Sequence, residues 1–148
     1  MKGTYILLMS LPGRCNIRVG KLCSIKFNKG YYAYVGSAMN SLVMRIHRHM
    51  GNSKKLHWHI DYFLKNANIC NIYYKPGKKS KECEFARRLG LQFKAIKDFG
   101  ASDCNCNSHL FHSEKYPELE KLIIKMKMKK FDFLGRPKYL YIGKNIYI

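Results

Sequence analysis

"YYAYVGSA", residues 31–38, decides how this chain is read. Three tyrosines fall in four positions, a glycine and two small residues follow, and "MNSLVMRIHRH" (39–49) begins at once. Tyrosine suits a pleated, half-buried strand, and the small residues mark its end. A strand that ends in phenols directly before a helix brings hydroxyls to the point where strand end and helix start meet. Upstream, "GTYILLMSL" (3–11) is apolar and β-prone, and "PGR" (12–14) turns the chain. "NIRVG" (16–20) and "SIKF" (24–27) alternate as short strands, and "NKG" (28–30) turns into the tyrosines. A β-meander of two or three strands is expected here.

Downstream, "NSLVMRIHRHM" (40–50) sets Leu42, Ile46 and Met50 at helical spacing, with Asn40 as N-cap. "LHWHIDYFLKNA" (56–67) repeats the pattern with Leu56, Ile60 and Phe63/Leu64, predicting a second amphipathic helix. "ICNIYY" (69–74) reads as a strand, "KPGKK" (75–79) as a basic turn and "SKECEFARRLGL" (80–91) as a third helix. "KAIKDFG" (94–100) is a short strand, and "ASDCNCNSHLFHS" (101–113) a polar loop running into a brief apolar piece. A lysine-rich helix, "YPELEKLIIKMKMKKF" (116–131), and a strand-like end, "PKYLYIGKNIYI" (137–148), follow. The expected class is mixed α+β. Residues 1–113 form the main domain, and 114–148 form a basic helix–strand extension packed on it.

The balance of charge is extreme: 28 Lys+Arg against 9 acids, a net +19. With 47% apolar and 14% aromatic residues the chain is a folded domain rather than a disordered basic tail. The cations are spread along it, which describes an electropositive surface for a polyanion. Charge alone separates poorly between DNA, RNA and anionic lipid, and the partner expected is nucleic acid, DNA with RNA as the alternative. The apolar run Ile6–Met9 is too short for a membrane span or an export signal, so no membrane is expected and a cytoplasmic location is. In that compartment the six cysteines (15, 23, 70, 83, 104 and 106) read as thiols or metal ligands, not as a disulfide framework.

Gly3-Thr4-Tyr5, then Tyr34-Val35-Gly36, then Arg45 in the following helix, resembles the ordered motif set of the GIY-YIG nuclease superfamily. "YYAYVGSA", "LHWHIDY", "ECEFARRL" and "SDCNCNSHLF" are similar to an archaeal and bacterial branch of Uri-type endonucleases, filed as domain of unknown function 123. The resemblance covers residues 3–112. It implies a small, mainly antiparallel sheet flanked by helices and a divalent-metal-dependent endonuclease hydrolysing phosphodiester bonds. By the same resemblance Tyr5 is the general base, Tyr34 helps to hold the attacking water, and Arg45 is the arginine of the following helix. The forked donors of Arg45 would pair with phosphate oxygens; the plainer reading is one more solvated cation. Thr4 stands where the family carries an aliphatic residue. Tyr141-Ile142-Gly143 spells the second motif more literally, but no arginine-bearing helix follows it.

A phenol is a poor base at its ordinary pKa near 10, and the many cations are expected to lower it. The family's acid lies in a later helix, before apolar residues three, four and seven positions on; Glu82, with Phe85, Ala86 and Leu89, fits. Those positions share one helical face. Glu84, on the other side, is the alternative ligand, with an ordinary i+4 pairing to Arg88 as its structural role. Either acid would hold Mg²⁺ or Mn²⁺ mainly through water and phosphate.

Cys104, Cys106 and His109 are chemically suited to Zn²⁺, with a fourth ligand to come from Cys83, His57, His59 or His112. The alternative is a polar loop of reduced thiols. His57 and Asp61 are spaced to pair on the second helix, His47 and His49 are placed to touch nucleic-acid backbone, and His59 and Trp58 are expected to pack. Lys54, Lys55, Lys78 and Lys79 form one candidate nucleic-acid face. Lys125 and Lys129 belong to the lysine-rich helix, whose Leu119, Leu122, Ile123 and Met126 should face the domain. The second functional reading is a catalytically inactive nucleic-acid-binding module stabilised by zinc.

Overall fold

An apolar run with no polar alternation marks a strand covered on both faces, and the first strand is of that kind. A computed structural model describes residues 1–51, 55–131, 141–142 and 145–146. The elements begin with β1 (Gly3–Leu11), β2 (Cys15–Arg18), β3 (Ser24–Phe27), β4 (Gly30–Ala38), α1 (Leu42–Met50) and α2 (His59–Phe63). They continue with β5 (Asn68–Pro76), α3 (Ser80–Gly90), β6 (Lys94–Ala95), β7 (Leu110–Ser113) and α4 (Tyr116–Lys125). Two-residue strands β8 (Lys129–Lys130), β9 (Tyr141–Ile142) and β10 (Asn145–Ile146) complete the set. Among the described residues no helix is long and apolar enough to cross a membrane, and all six cysteines are free.

The fold is mixed α+β: a six-stranded antiparallel sheet in the order β6-β7-β4-β1-β5-β8, with helices on both faces. β1 pairs with β4 from Gly3↔Ala38 to Leu11↔Gly30, and with β5 on its other side. Alternate residues of β1 therefore enter two cores. Tyr5, Leu7, Met9 and Leu11 join Tyr32 and Tyr34 against Leu42 and Ile46 of α1 and Ile60 and Phe63 of α2. Ile6 and Leu8 join Ala33 and Val35 against Phe85 and Leu89 of α3 and Leu119 and Ile123 of α4.

The expected meander is not continuous. β2 and β3 pair with each other as a separate hairpin, because β1 and β4 already occupy one another along their full lengths. Ile17, Val19 and Phe27 close the hairpin over the first core. α1 is capped by Ser41, whose Oγ accepts the Met44 N–H at 3.2 Å, and not by Asn40. The second helix is one short turn, not the long helix expected. Asp61 accepts the His57 and Trp58 N–H groups, both at 2.9 Å, so the chain before His59 is held out of the helix. α4 ends at Lys125, short of the lysine-rich helix expected through 131: Lys127 takes φ +60, and Lys129 and Lys130 pair with β5 as β8. Leu119, Leu122, Ile123 and Met126 are buried as expected, while Lys121, Lys125, Lys127, Lys129 and Lys130 are exposed.

Thr4 is fully buried, and among the described residues its hydroxyl has no hydrogen-bond partner. An unsatisfied buried hydroxyl costs stability that a methyl group in its place does not. Thr4→Val should therefore stabilise the fold by about 1 kcal/mol, raising the melting temperature by about 2–4 °C. Thermal unfolding followed by circular dichroism checks this; a lower melting temperature would show that the hydroxyl is satisfied.

Candidate functional site

The register of the central strands brings the start of β1, the ends of β4 and β5, and the first turns of α1 and α3 to one end of the sheet. A cleft of about 540 Å³ opens there. Its walls include Tyr5, Tyr34, Arg45, Trp58, Lys79 and Glu82. All four side chains singled out for catalysis in the sequence thus line one cavity. Of the three clustered tyrosines, only Tyr34 reaches it. Tyr32 donates its hydroxyl to the Asn28 carbonyl at 2.6 Å, and Tyr31 faces the opposite layer beside Tyr116.

Tyr5 lies directly across the ladder from Gly36. A Cβ on residue 36 would sit 2.4 Å from the Tyr5 hydroxyl oxygen, so the phenol occupies the space a side chain would take. Gly100, at φ +70, admits Tyr34 in a similar way; a Cβ there would stand 3.2 Å from the Tyr34 ring and from His109. The Tyr5 hydroxyl and His49 Nε2 share a buried hydrogen bond of 2.6 Å. His49 is 2% exposed, which removes it from any contact with a nucleic-acid backbone. Its spacing of four from Arg45, legible in the sequence, puts both on one side of α1.

The phenols are not acidified. Burial pushes Tyr5 well above the ordinary phenol range; Arg45 pulls the other way and is outweighed, while Glu82 and Asp61 add to the rise. Burial likewise raises Tyr34, helped by Tyr5 and Glu82. The expectation of a cation-stabilised phenolate fails because desolvation acts on a group almost wholly enclosed. A neutral Tyr5 can accept a proton from water only as it passes its own to His49.

Arg45 is not a loose cation. Its Nη1 donates to the Ser37 carbonyl at 2.9 Å, and its guanidinium lies 4.3 Å from the Trp58 ring centroid. Arg48 sits at the same distance from that ring, so Trp58 packs against two guanidinium groups rather than standing free. Asp61 does not pair with the His57 imidazole. Its fully buried carboxylate takes both Arg48 donors, at 2.8 and 2.9 Å, and the two backbone N–H groups of His57 and Trp58. Burial alone would raise the Asp61 pKa, but these four donors outweigh it and hold it below the ordinary range. His59 accepts the Gly100 N–H on Nδ1 at 2.8 Å and packs on Phe99, a structural role.

Glu82, in the first turn of α3, is 12% exposed and reaches the cleft above buried Phe85, Ala86 and Leu89. Glu84 points away from the cleft. It is 45% exposed and pairs with Lys81 at 3.1 Å, not with Arg88. Among the candidate nucleic-acid lysines, Lys79 borders the cleft and meets Asp103 at 3.6 Å. Lys55, Lys78, Lys125 and Lys129 are exposed, and Lys54 lies outside the described residues.

Behind Glu82 the fold gathers Cys83, Cys104, Cys106 and His109, with their ligand atoms all within 4.8 Å of one another. Such a group can hold a metal ion, and three sulfurs with one imidazole is a donor set of the zinc type. Cys83 is the fourth member; His57, His59 and His112 lie elsewhere. Burial pushes both Cys83 and Cys106 up; Cys104 adds to the rise in each, while Cys106 opposes it at Cys83 and Cys83 adds to it at Cys106. Burial lowers the His109 pKa against the opposing pull of Glu82, Asp103 and the Val35 backbone, and Nδ1 stands 3.8 Å from Glu82 Oε1.

Removing one partner of a buried pair leaves the other uncompensated. Asp61→Asn should cost about 3 kcal/mol at neutral pH, since Arg48 retains some solvent. The wild-type carboxyl is depressed on folding, so its contribution is present above the unfolded value of about 3.9 and is lost as pH falls through the folded one. Urea unfolding of both proteins at pH 7 and at pH 3 should show the difference narrowing at the lower pH.

Comparison with curated proteins and with solved structures returns no match. The model of the family described as domain of unknown function DUF123 matches residues 4–133, a span that holds the whole cleft, the cysteine–histidine group and α4. This chain belongs to the DUF123 family.

Proposed function

We propose that this protein is a divalent-metal-dependent endonuclease that hydrolyses phosphodiester bonds in DNA. The observation that carries the reading is the convergence in one cleft of the Tyr5–His49 hydrogen bond, a fixed guanidinium and a partly buried carboxylate. The resemblance of these positions to the GIY-YIG nucleases supports it, and so does the charge of +19.

Phosphodiester hydrolysis needs a deprotonated water, compensation of charge on the phosphorus centre and help for the departing oxygen. Tyr5 takes a proton from the attacking water while its own moves to His49 Nε2 along the existing hydrogen bond. Tyr34, on the adjacent strand, orients that water. Arg45, braced by Ser37 and Trp58, pairs with phosphate oxygens through the donors left over. Glu82 is a hard oxygen donor in a polar, open cleft, which fits Mg²⁺ or Mn²⁺ held by one carboxylate, water and phosphate. Such an ion, when bound, neutralises charge developing on the phosphate and leaving oxygens. Zn²⁺ is assigned to the cysteine–histidine group behind it.

Tyr5→Phe, His49→Ala and Arg45→Ala should each slow cleavage by about two to four orders of magnitude. Glu82→Gln should abolish metal-dependent cleavage while sparing DNA affinity, and Glu84→Gln should do little. Single-turnover cleavage of branched, nicked and duplex DNA with Mg²⁺, then EDTA, measures this. Binding without cleavage of any of them, or of RNA, would make the chain an inactive binding module.

The exposed lysines at the end of α4 and beyond it supply a separate expectation. Each lysine that neutralises a phosphate adds about 0.9 to the slope of log affinity against log salt. Replacing Lys125, Lys127, Lys129 and Lys130 with glutamine should flatten that slope and weaken binding to all sequences alike. An unchanged slope would leave this segment as cover for the sheet.

A further inference from the structure

The cysteine–histidine group adjoins the cleft through two routes. Cys83 follows Glu82 directly on α3, and His109 stands between the sulfurs and the Glu82 carboxylate. In a tetrahedral zinc site, with Zn–S near 2.3 Å and Zn–N near 2.0–2.1 Å, neighbouring ligand atoms are about 3.5–3.8 Å apart. Cys104 Sγ and His109 Nε2 are already 3.5 Å apart. Closing the remaining pairs from at most 4.8 Å takes small side-chain movements. The spacing suits a single ion, and thiolate donors select zinc over Mg²⁺ or Ca²⁺.

His109 presents its two nitrogens to different neighbours. Nε2 faces the sulfurs, and Nδ1 faces Glu82 Oε1 at 3.8 Å, too far for a hydrogen bond. The main chain of residue 109 is held on both sides: the backbone N–H of His109 donates to the Phe99 carbonyl, and the backbone carbonyl of His109 accepts the Val35 N–H. A neutral imidazole carries one N–H. If that proton sits on Nε2, toward Cys104, a lone pair on Nδ1 opposes the carboxylate. A metal on Nε2 forces the proton onto Nδ1, where it faces the carboxylate as a donor.

We propose that Cys83, Cys104, Cys106 and His109 bind one Zn²⁺, and that zinc, by fixing the His109 tautomer, orients Glu82 in the cleft. The site stands independently of the nuclease reading; only the use made of Glu82 rests on it. His109 is on this view a positioning residue, and the zinc is structural, with all four ligands supplied by the chain.

The full-length protein should contain about one zinc per chain by elemental analysis, and Co²⁺ replacing it should give the strong absorption of tetrahedral thiolate coordination. Cys104→Ser and Cys106→Ser should weaken or abolish both. A metal-free protein that gives no cobalt spectrum, or one containing iron instead, would overturn the site.

The coupling is read by nitrogen-15 NMR of the His109 ring in the zinc-loaded protein, without any activity measurement. A protonated Nδ1 whose proton signal shifts in Glu82→Gln is expected. Protonation on Nε2, or an Nδ1 proton indifferent to Glu82→Gln, would overturn it. His109→Cys should keep the zinc as a four-cysteine site yet bind Mn²⁺ in the cleft about tenfold more weakly than wild type. Wild-type Mn²⁺ affinity in that zinc-loaded variant, with weakened binding in Glu82→Gln, would also count against the coupling. If Glu82→Gln itself leaves Mn²⁺ binding unchanged, the nuclease reading loses its metal ligand, while zinc content and the ring spectrum still decide this proposal.

Discussion

Tyr5 and Gly36 face each other across the β1–β4 ladder, and the cleft depends on that register. A side chain at residue 36 and the Tyr5 ring cannot coexist where they stand. The strand alternation then sends Tyr5 and Tyr34 to the same face, under α1, and sends Val35 and Ile6 to the other. A slip of one residue would exchange the two sets and bury the phenols beneath α3 and α4. Continuous pairing of β1 with strands on both sides makes that slip costly, which is why a polar site can be built on an otherwise apolar strand.

The α1 face of the cleft is braced from outside. Asp61 gathers two Arg48 donors and two backbone N–H groups at the entry to α2, tying the two helices together. Trp58, fixed by the same turn, supports Arg45 as well as Arg48. A guanidinium held by a carbonyl and an aromatic face gives up less freedom when it meets a phosphate than a solvated one would. The same brace places His49 beneath Tyr5. The acid that looks most like a catalytic partner of a histidine is therefore structural, and the histidine that looks like surface is at the centre.

Electrostatics in the cleft run against the chain's overall charge. The surface is strongly cationic, yet the enclosed phenols stay protonated, because removal from water outweighs the field of one nearby arginine. For the proposed hydrolysis, that favours proton transfer along the short Tyr5–His49 hydrogen bond over a standing phenolate. On the α3 side, Glu82 is the carboxylate set among these groups, and its immediate backing is His109 and the cysteines.

The sequence by itself determined the α+β class, the two strands that carry Tyr5 and Tyr34, the helix bearing Arg45 and the inward face of Glu82. It also determined the buried stripe of Leu119, Leu122, Ile123 and Met126. Each of these follows from local periodicity, which fixes where a side chain points relative to its neighbours a few residues away. Tertiary structure alone decided which distant groups meet: His49 with Tyr5, Arg48 with Asp61, Lys81 rather than Arg88 with Glu84, and Cys83 as the fourth member of the metal-ligand group. It also decided the protonation of the phenols, since burial is a property of the packed core and not of the motif. Periodicity specifies direction along one element, whereas partner choice and desolvation depend on distances between elements that no single stretch of sequence contains.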